Sequence, residues 1–264
     1  MQVISNKLPE LIVVGAGPGD PDLITLKAWR ILQEAPVVLY DNLANTALLD
    51  WTRPDCEKIY VGKRPYGDYT PQESIHALIK EKAFASGIVV RLKGGDPFIF
   101  GRGFEEVLFA RQHGIHVSYV PGISSMQAAG LSAIPLTHRQ VSESIWVITG
   151  TKKEGELSAD LQLAMKTKAT VVIYMGMKKL KEIAALYVLA GLGDTPAAIV
   201  HQASLPGERM ARGPVSDLAR MAADHQLTHP SIIIIGAVVA LGMDIKMQTP
   251  NLLAAVGSSR LKII

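Results

Sequence analysis

Three glycine- and proline-rich segments in the first half of the chain combine backbone freedom with side chains able to do chemistry. Residues 15–21 read Gly-Ala-Gly-Pro-Gly-Asp-Pro, and residues 121–125 read Pro-Gly-Ile-Ser-Ser. Between them, residues 91–103 read Arg-Leu-Lys-Gly-Gly-Asp-Pro-Phe-Ile-Phe-Gly-Arg-Gly, followed by Phe104, Glu105 and Glu106. The first segment sits where a dinucleotide phosphate loop would lie, but its spacing is Gly-x-Gly-x-Gly and not Gly-x-Gly-x-x-Gly. Pro18 and Pro21 have no N–H to offer a pyrophosphate, and Asp20 would repel one at the helix start that should attract it. An NAD site is disfavoured on those grounds, and a rigid turn is the plainer reading. Asp96 can accept from a hydroxyl pair or an ammonium, or simply cap its own Asp-Pro turn. Asp41 ends a strand-like run as a carboxylate able to take a proton. Lys63 and Arg64 end another, either as ligands for acidic groups or as a solvated charge pair.

These residues need a frame that gathers them, and the apolar periodicity supplies one. Residues 11–14, 37–40, 88–92 and 117–120 are short, apolar and β-branched, as buried strands are, with a further strand-like run at 58–61. Residues 23–33, 72–84 and 104–113 repeat their apolar positions at helical spacing. The alternation predicts an α/β fold with a mostly parallel sheet, in which ligands gather beyond the carboxyl ends of strands. A polar stretch at 142–144 precedes a second alternating set, with strands at 145–149, 171–175, 197–200 and 232–235 and helices at 179–189 and 215–223. Two α/β domains are expected, 1–140 and 141–243. The tail 244–264 has no clear period and is expected either to fray or to dock on a partner subunit.

A chain of 264 residues with 48% hydrophobic content can bury a substantial core, which excludes a disordered protein. Charged residues make up 19%, below the ~25% usual for soluble proteins, so surface hidden in an interface or cleft is expected. No apolar run approaches the ~18 to 20 residues of a membrane span and no leader opens the sequence, which points to the cytoplasm. A single cysteine, Cys56, makes neither an internal disulfide nor a cysteine-type metal site. The net charge of +3 does not argue for nucleic acid, although it leaves room for a local basic cleft.

Taken in order, VGAGPGDP (14–21), LYDNL (39–43), VGKR (61–64), RLKGGDPFIFGRG (91–103), VPGISS (120–125) and IPLTHR (134–139) make the resemblance specific. It continues through VVIYMGM (171–177), Thr195-Pro196 and PSIIIIGAVV (230–239). The chain resembles the S-adenosylmethionine-dependent uroporphyrinogen III C-methyltransferases of the tetrapyrrole methylase family over about residues 10–243. The resemblance implies two α/β domains of the tetrapyrrole methylase type, with the active site in the cleft between them. It implies S-adenosylmethionine as cofactor, S-adenosylhomocysteine as product, no metal, and a homodimer. A cofactor without phosphates agrees with the proline and aspartate defects of the first loop.

The resemblance assigns cofactor contacts to Pro18, Gly94, Gly95, Asp96, Ile99, Ser124, Ser125, Met175 and Ala203. It gives Asp41 the role of proton acceptor and Lys63 that of proton donor, and it makes Arg102 and Glu105 functional residues. Methylating a pyrrole carbon leaves a cationic ring that must lose a proton, which a carboxylate can take. Uroporphyrinogen III carries eight carboxylates, so Lys63, Arg64, Arg102 and Arg139, with Met175, are expected to line its site. Arg209 and Arg212 are further candidates from the second domain. His138 is left out as a packed or capping histidine.

The chain departs from the family pattern at Phe104, where a glycine is usual, at Thr151 for a histidine, and at Ser125 and Ala203 for an alanine and a glycine. Ala237 replaces a charged residue. None removes a reactive group, but the pocket is expected to differ in shape. The expected activity is double methylation of uroporphyrinogen III through precorrin-1 to precorrin-2, in sirohaem, cobalamin or haem d1 synthesis, by a chain too short to carry an added dehydrogenase and ferrochelatase module. The competing readings are methylation of a later precorrin, of ribosomal RNA or of a diphthamide precursor, a binding-only module, and an NAD oxidoreductase.

Overall fold

The computed structural model describes residues 8–62, 70–152 and 155–245. Lys63, Arg64 and almost all of the proposed tail therefore lie outside the described residues. Strands β1 (Glu10–Gly15), β2 (Val37–Tyr40), β3 (Glu57–Tyr60), β4 (Ile88–Lys93) and β5 (His116–Val120) form a sheet in the order β3-β2-β4-β1-β5. All four pairings are parallel. Helix α1 (Leu26–Glu34) covers one face, and α2 (Gln72–Ser86) and α3 (Gly103–Gln112) cover the other. A parallel sheet covered on both sides explains why Leu11, Val13, Val38, Leu39, Val89 and Val90 are all buried. Along β4 the period of two sends Val90 and Leu92 toward α1, and Val89 toward α2 and α3.

The strand order makes β4, β1 and β5 neighbours, so their carboxyl ends bring the three glycine segments together although they lie far apart in sequence. The backbones then approach more closely than side chains would allow. Gly17 and Gly95 pair through two backbone hydrogen bonds of 3.3 and 2.7 Å. A Cβ on Gly15 would lie 2.4 Å from the Gly122 nitrogen, and one on Gly122 would lie 2.2 Å from the Gly95 carbonyl oxygen. The glycines are thus required by approach, in addition to any role toward a ligand.

After helix α4 (Ser125–Ala128), a second sheet is built from β6 (Ile145–Thr149), β7 (Thr170–Tyr174), β8 (Pro196–His201), β9 (Arg209–Pro214) and β10 (Ser231–Ile235). Its order is β6-β7-β10-β8-β9, and only β6 and β7 pair in parallel, the other three pairings being antiparallel. The mostly parallel reading therefore holds for the first sheet alone. Strand β9 went unread because Arg-Met-Ala-Arg-Gly-Pro carries two charges and a proline, as an edge strand tolerates. Helices α5 (Asp160–Ala164), α6 (Leu180–Leu189) and α7 (Leu218–Asp224) cover one face of this sheet, and α8 (Val238–Leu241) follows β10.

The other face packs on the first half. Ala198, Val200, Ile232 and Ile234 form one buried cluster with Ala128, Ala129 and Ile134. Polar ties flank it: the Asp20 N–H donates to Ser204 Oγ at 3.0 Å, and the Met126 N–H donates to the Tyr174 hydroxyl at 3.0 Å. Among the described residues no helix is long and apolar enough to cross a membrane.

Substituting Gly122→Ala forces the carboxyl ends of β1, β4 and β5 apart. The expected loss is about 1–3 kcal/mol of stability, the usual cost of overpacking, read as a lower urea midpoint at unchanged slope.

Candidate active site

The loop after β4 and the carboxyl ends of β6 and β7 border an open cavity of about 410 Å³ between the two halves of the chain. Arg102, Glu105 and Met175 line it, together with Phe98, Phe104 and Lys152. Three of the residues that the sequence singles out are thus brought together. A groove of similar size, about 420 Å³, lies wholly in the second half beside Met177 and His229 and contains none of them.

Several non-glycine residues around the cleft adopt left-handed backbone conformations: Phe100 (φ 53°), Arg102 (φ 59°), Met175 (φ 54°), Gln202 (φ 50°) and Ser204 (φ 69°). They follow β4, β7 and β8, and such strain persists only where surrounding contacts over-determine it. For Met175 one such contact is visible, its carbonyl accepting the Thr151 hydroxyl at 2.9 Å. Thr151 thus holds the turn that follows β7.

Arg102 stands just before the amino end of α3 and pairs with Glu105, its Nη2 donating to Oε2 at 2.7 Å and its Nε to Oε1 at 3.0 Å. That hydrogen bonding lowers the Glu105 pKa from its ordinary value. Both groups are half exposed, so the pair adds little stability by itself, and its value lies in aiming the guanidinium along the cavity wall.

Asp96 is buried and its two oxygens serve the loops. Oδ1 accepts the Phe98 N–H at 2.8 Å, while Oδ2 accepts the Tyr119 hydroxyl at 2.6 Å and the Gly122 N–H at 3.1 Å. The turn-capping alternative is what the geometry displays, extended across to the third loop. Burial, and then the bond to Asp96, push the Tyr119 phenol up from its ordinary value. Ser124 is also buried and shares a hydrogen bond of 2.7 Å with the Tyr174 hydroxyl, and Ser125 reaches that hydroxyl at 3.3 Å. Pro18 and Ile99 are half-buried on the first two loops, and Ala203 is buried between the left-handed Gln202 and Ser204. A Cβ on Gly94 would lie 2.6 Å from the Leu43 carbonyl oxygen, so this glycine admits the turn that starts at Asp41.

Asp41 faces a buried charge network that the sequence reading did not find. Its Oδ1 accepts the Leu43 N–H at 3.1 Å and its Oδ2 accepts Arg91 Nη2 at 2.9 Å. Arg91 Nε donates to Glu106 Oε1 at 3.2 Å, and Lys93 Nζ and Gln72 Nε2 reach the same oxygen at 3.4 and 3.3 Å. Two cations and two carboxylates balance there, with Glu106 fully buried and its Oε2 without a hydrogen-bond partner among the described residues. The signal was present in the alternation of β4, which puts Arg91 and Lys93 on the face toward α3. Glu106, however, reads like any exposed acid in a helix's first turn.

Three of the candidate arginines do not line this cavity. Arg139 is exposed and does not line the cavity. Arg212 donates to the carbonyl oxygens of Ser132 and Val239 and so ties the second half to the first, a use that its neutral neighbours dictate. Arg209 is exposed and donates to the His225 carbonyl oxygen at 3.4 Å. Among the described residues no group of three or more metal-ligating side chains comes together.

Residues 10–219 match the family model of the tetrapyrrole (corrin/porphyrin) methylases. The chain belongs to that family. It is 42% identical to the native form of uroporphyrin III C-methyltransferase from Thermus thermophilus, with a TM-score of 0.75, covering 88% of this chain and 99% of that one. A uroporphyrin-III C-methyltransferase from Thermus thermophilus complexed with S-adenyl homocysteine matches at 41% identity and a TM-score of 0.76, over the same shares. A sirohaem synthase of Pseudomonas fluorescens (strain SBW25) is 43% identical over 239 residues, which are 90% of this chain and 52% of the relative. The chain spans about half the length of the sirohaem synthases it matches.

Burial of the Lys93 ammonium, with Arg91 beside it, holds its pKa below the ordinary lysine value despite the pull of Glu106 and Asp41. The unfolded chain therefore binds that proton more tightly, and native stability gains as pH rises from the lowered folded value to about 10.4. Wild type should gain on Lys93→Met through that interval, measured as the difference in urea midpoints. Tyr119 titrates in the opposite sense but is common to both proteins. A flat difference would contradict the buried ammonium.

Proposed function

We propose that this chain transfers methyl groups from S-adenosylmethionine to two ring carbons of uroporphyrinogen III, through precorrin-1 to precorrin-2. The observation that carries the proposal is the match to the Thermus thermophilus uroporphyrin III C-methyltransferase over 99% of that chain at 42% identity. The loops fit such a cofactor by their own chemistry. Pro18, Pro97 and Pro121 have no N–H for a phosphate, and Asp20 and Asp96 suit a cation better than an anion. When bound, the cofactor supplies a methyl group on a positively charged sulfur.

The chain's own residues do the rest. Pro18, Gly94, Gly95, Asp96, Ile99, Ser124, Ser125, Met175 and Ala203 are the proposed cofactor contacts, with Asp96 acting through the loops it holds together. Arg102, aimed by Glu105, binds substrate carboxylates at the cavity, and Lys63 and Arg64 belong to the same proposed set. Asp41 takes the proton released from the methylated carbon, and its closeness to Arg91 at 2.9 Å supports a carboxylate kept in place for that step. Lys63 is the proposed proton donor. We divide the chain into units at about residue 140 and assign it to a cytoplasmic homodimer. The low charged fraction of 19% and the exposed Phe84 and Leu108 support the interface.

A structural match at 27% identity and a TM-score of 0.79 to a cobalt precorrin-4 methyltransferase favours a second reading, methylation of a later precorrin. Incubation with S-adenosylmethionine and freshly reduced uroporphyrinogen III should give a product heavier by two methyl groups. No mass gain while the cofactor binds overturns the proposal, and gain only on a later precorrin selects the second reading. Asp41→Ala and Arg102→Ala should lower kcat by about 10²-fold or more with cofactor affinity nearly unchanged, as for loss of a proton-transfer or positioning group. Asp96→Ala should weaken cofactor binding in calorimetry, and the reverse pattern would show the roles to be misassigned.

A further inference from the structure

The same cavity carries an aromatic wall that neither the cofactor nor the charged groups explain. Phe98, Phe100 and Phe104 all line it and remain 39%, 41% and 56% exposed. Single exposed apolar side chains are ordinary, but three phenylalanines around one cavity form a patch of the kind that binding sites present. Their mounting is rigid. Phe98 stacks on Tyr119 with ring centroids 4.0 Å apart and planes 7° from parallel, and the Tyr119 hydroxyl is anchored on Asp96. Phe104 meets Phe98 edge to face at 5.5 Å and 88°, and Phe100 leans on Tyr174 at 5.2 Å. Phe104 is the outermost of the three, the second residue of α3, and its neighbours in sequence are the backbone of Gly103 and the paired Glu105.

The rim around this wall is polar and partly cationic, carrying Lys152 and the Arg102–Glu105 pair. An apolar face inside a polar, partly cationic rim fits a large, flat-sided organic ring that carries acidic substituents at its edge. We propose that Phe104 is a specificity-determining residue that packs against the ring face of the tetrapyrrole, so that recognition of the macrocycle is separated from recognition of its carboxylates. This deepens the proposed function and rests on it for the identity of the ring. Because two methyl groups must be added to one substrate, hold on the ring also governs how often the singly methylated product leaves before the second transfer.

The test compares wild type with Phe104→Gly and Phe104→Leu. Exposure of the side chain makes a folding defect easy to exclude, and the melting temperature is read alongside. Phe104→Gly should raise the KM for uroporphyrinogen III by about tenfold, the size of one aromatic contact, and increase the share of singly methylated product. Cofactor affinity should be unchanged, and Phe104→Leu should fall between the two by restoring apolar area without the ring. Direct titration with oxidised uroporphyrin III, read by its absorbance, reports the same contact independently of turnover. Weaker binding of the porphyrin to Phe104→Gly supports the wall even if wild type transfers no methyl group, in which case only the reading of the activity falls. Equal KM and equal porphyrin affinity in wild type and Phe104→Gly, or a parallel loss of cofactor affinity, overturns the inference.

Discussion

Backbone crowding at the carboxyl ends of β4, β1 and β5 is the constraint on which the rest of the structure depends. Gly15, Gly95 and Gly122 come within van der Waals distance of one another because none carries a Cβ, and Gly17 and Gly95 bond directly. Asp96 then bridges the second and third loops through Gly122 and Tyr119. A platform of backbone held this tightly presents main-chain groups in fixed positions, which is the economical way to hold a ligand that has no phosphates. It also sets where the 97–105 segment can run, and therefore where Arg102 and the phenylalanine wall stand.

A second layer of organisation lies beneath that platform, where β2, β4, α2 and α3 meet. Arg91 and Lys93 project from a strand otherwise apolar, and their charges are balanced by Asp41 and Glu106 within hydrogen-bonding range. Burying such a quartet confers little net stability, since desolvation offsets the Coulombic gain, yet removing one partner would leave a charge uncompensated in a dry interior. Asp41 is the member nearest solvent, and the network fixes its carboxylate from behind while its other oxygen caps its own turn.

The two halves are joined by an apolar cluster and by a few exact polar contacts. Tyr174 illustrates how the join shapes the site: its hydroxyl is held by Ser124 and by the Met126 amide of the first half, while the next residue, Met175, turns left-handed into the cavity. Arg212, which looks like a ligand for substrate carboxylates when read by charge alone, is consumed by carbonyl oxygens at this join. Charge type identifies candidates, whereas the supply of acceptors nearby decides their use.

The sequence by itself determined the α/β character, most of the strands, the three glycine turns and the family, because these depend on local periodicity and on motif order along the chain. Strands such as 37–40 and 145–149 coincide with the observed elements, since short β-branched runs bounded by turns leave little choice of conformation. Tertiary structure alone decided the antiparallel pairing of the second sheet, the balance of Arg91 and Lys93 against Glu106, the diversion of Arg212 and the grouping of Phe98, Phe100 and Phe104 in one wall. Each of these turns on which side chains from distant segments share a face, and partners separated by many residues leave no period in a single sequence.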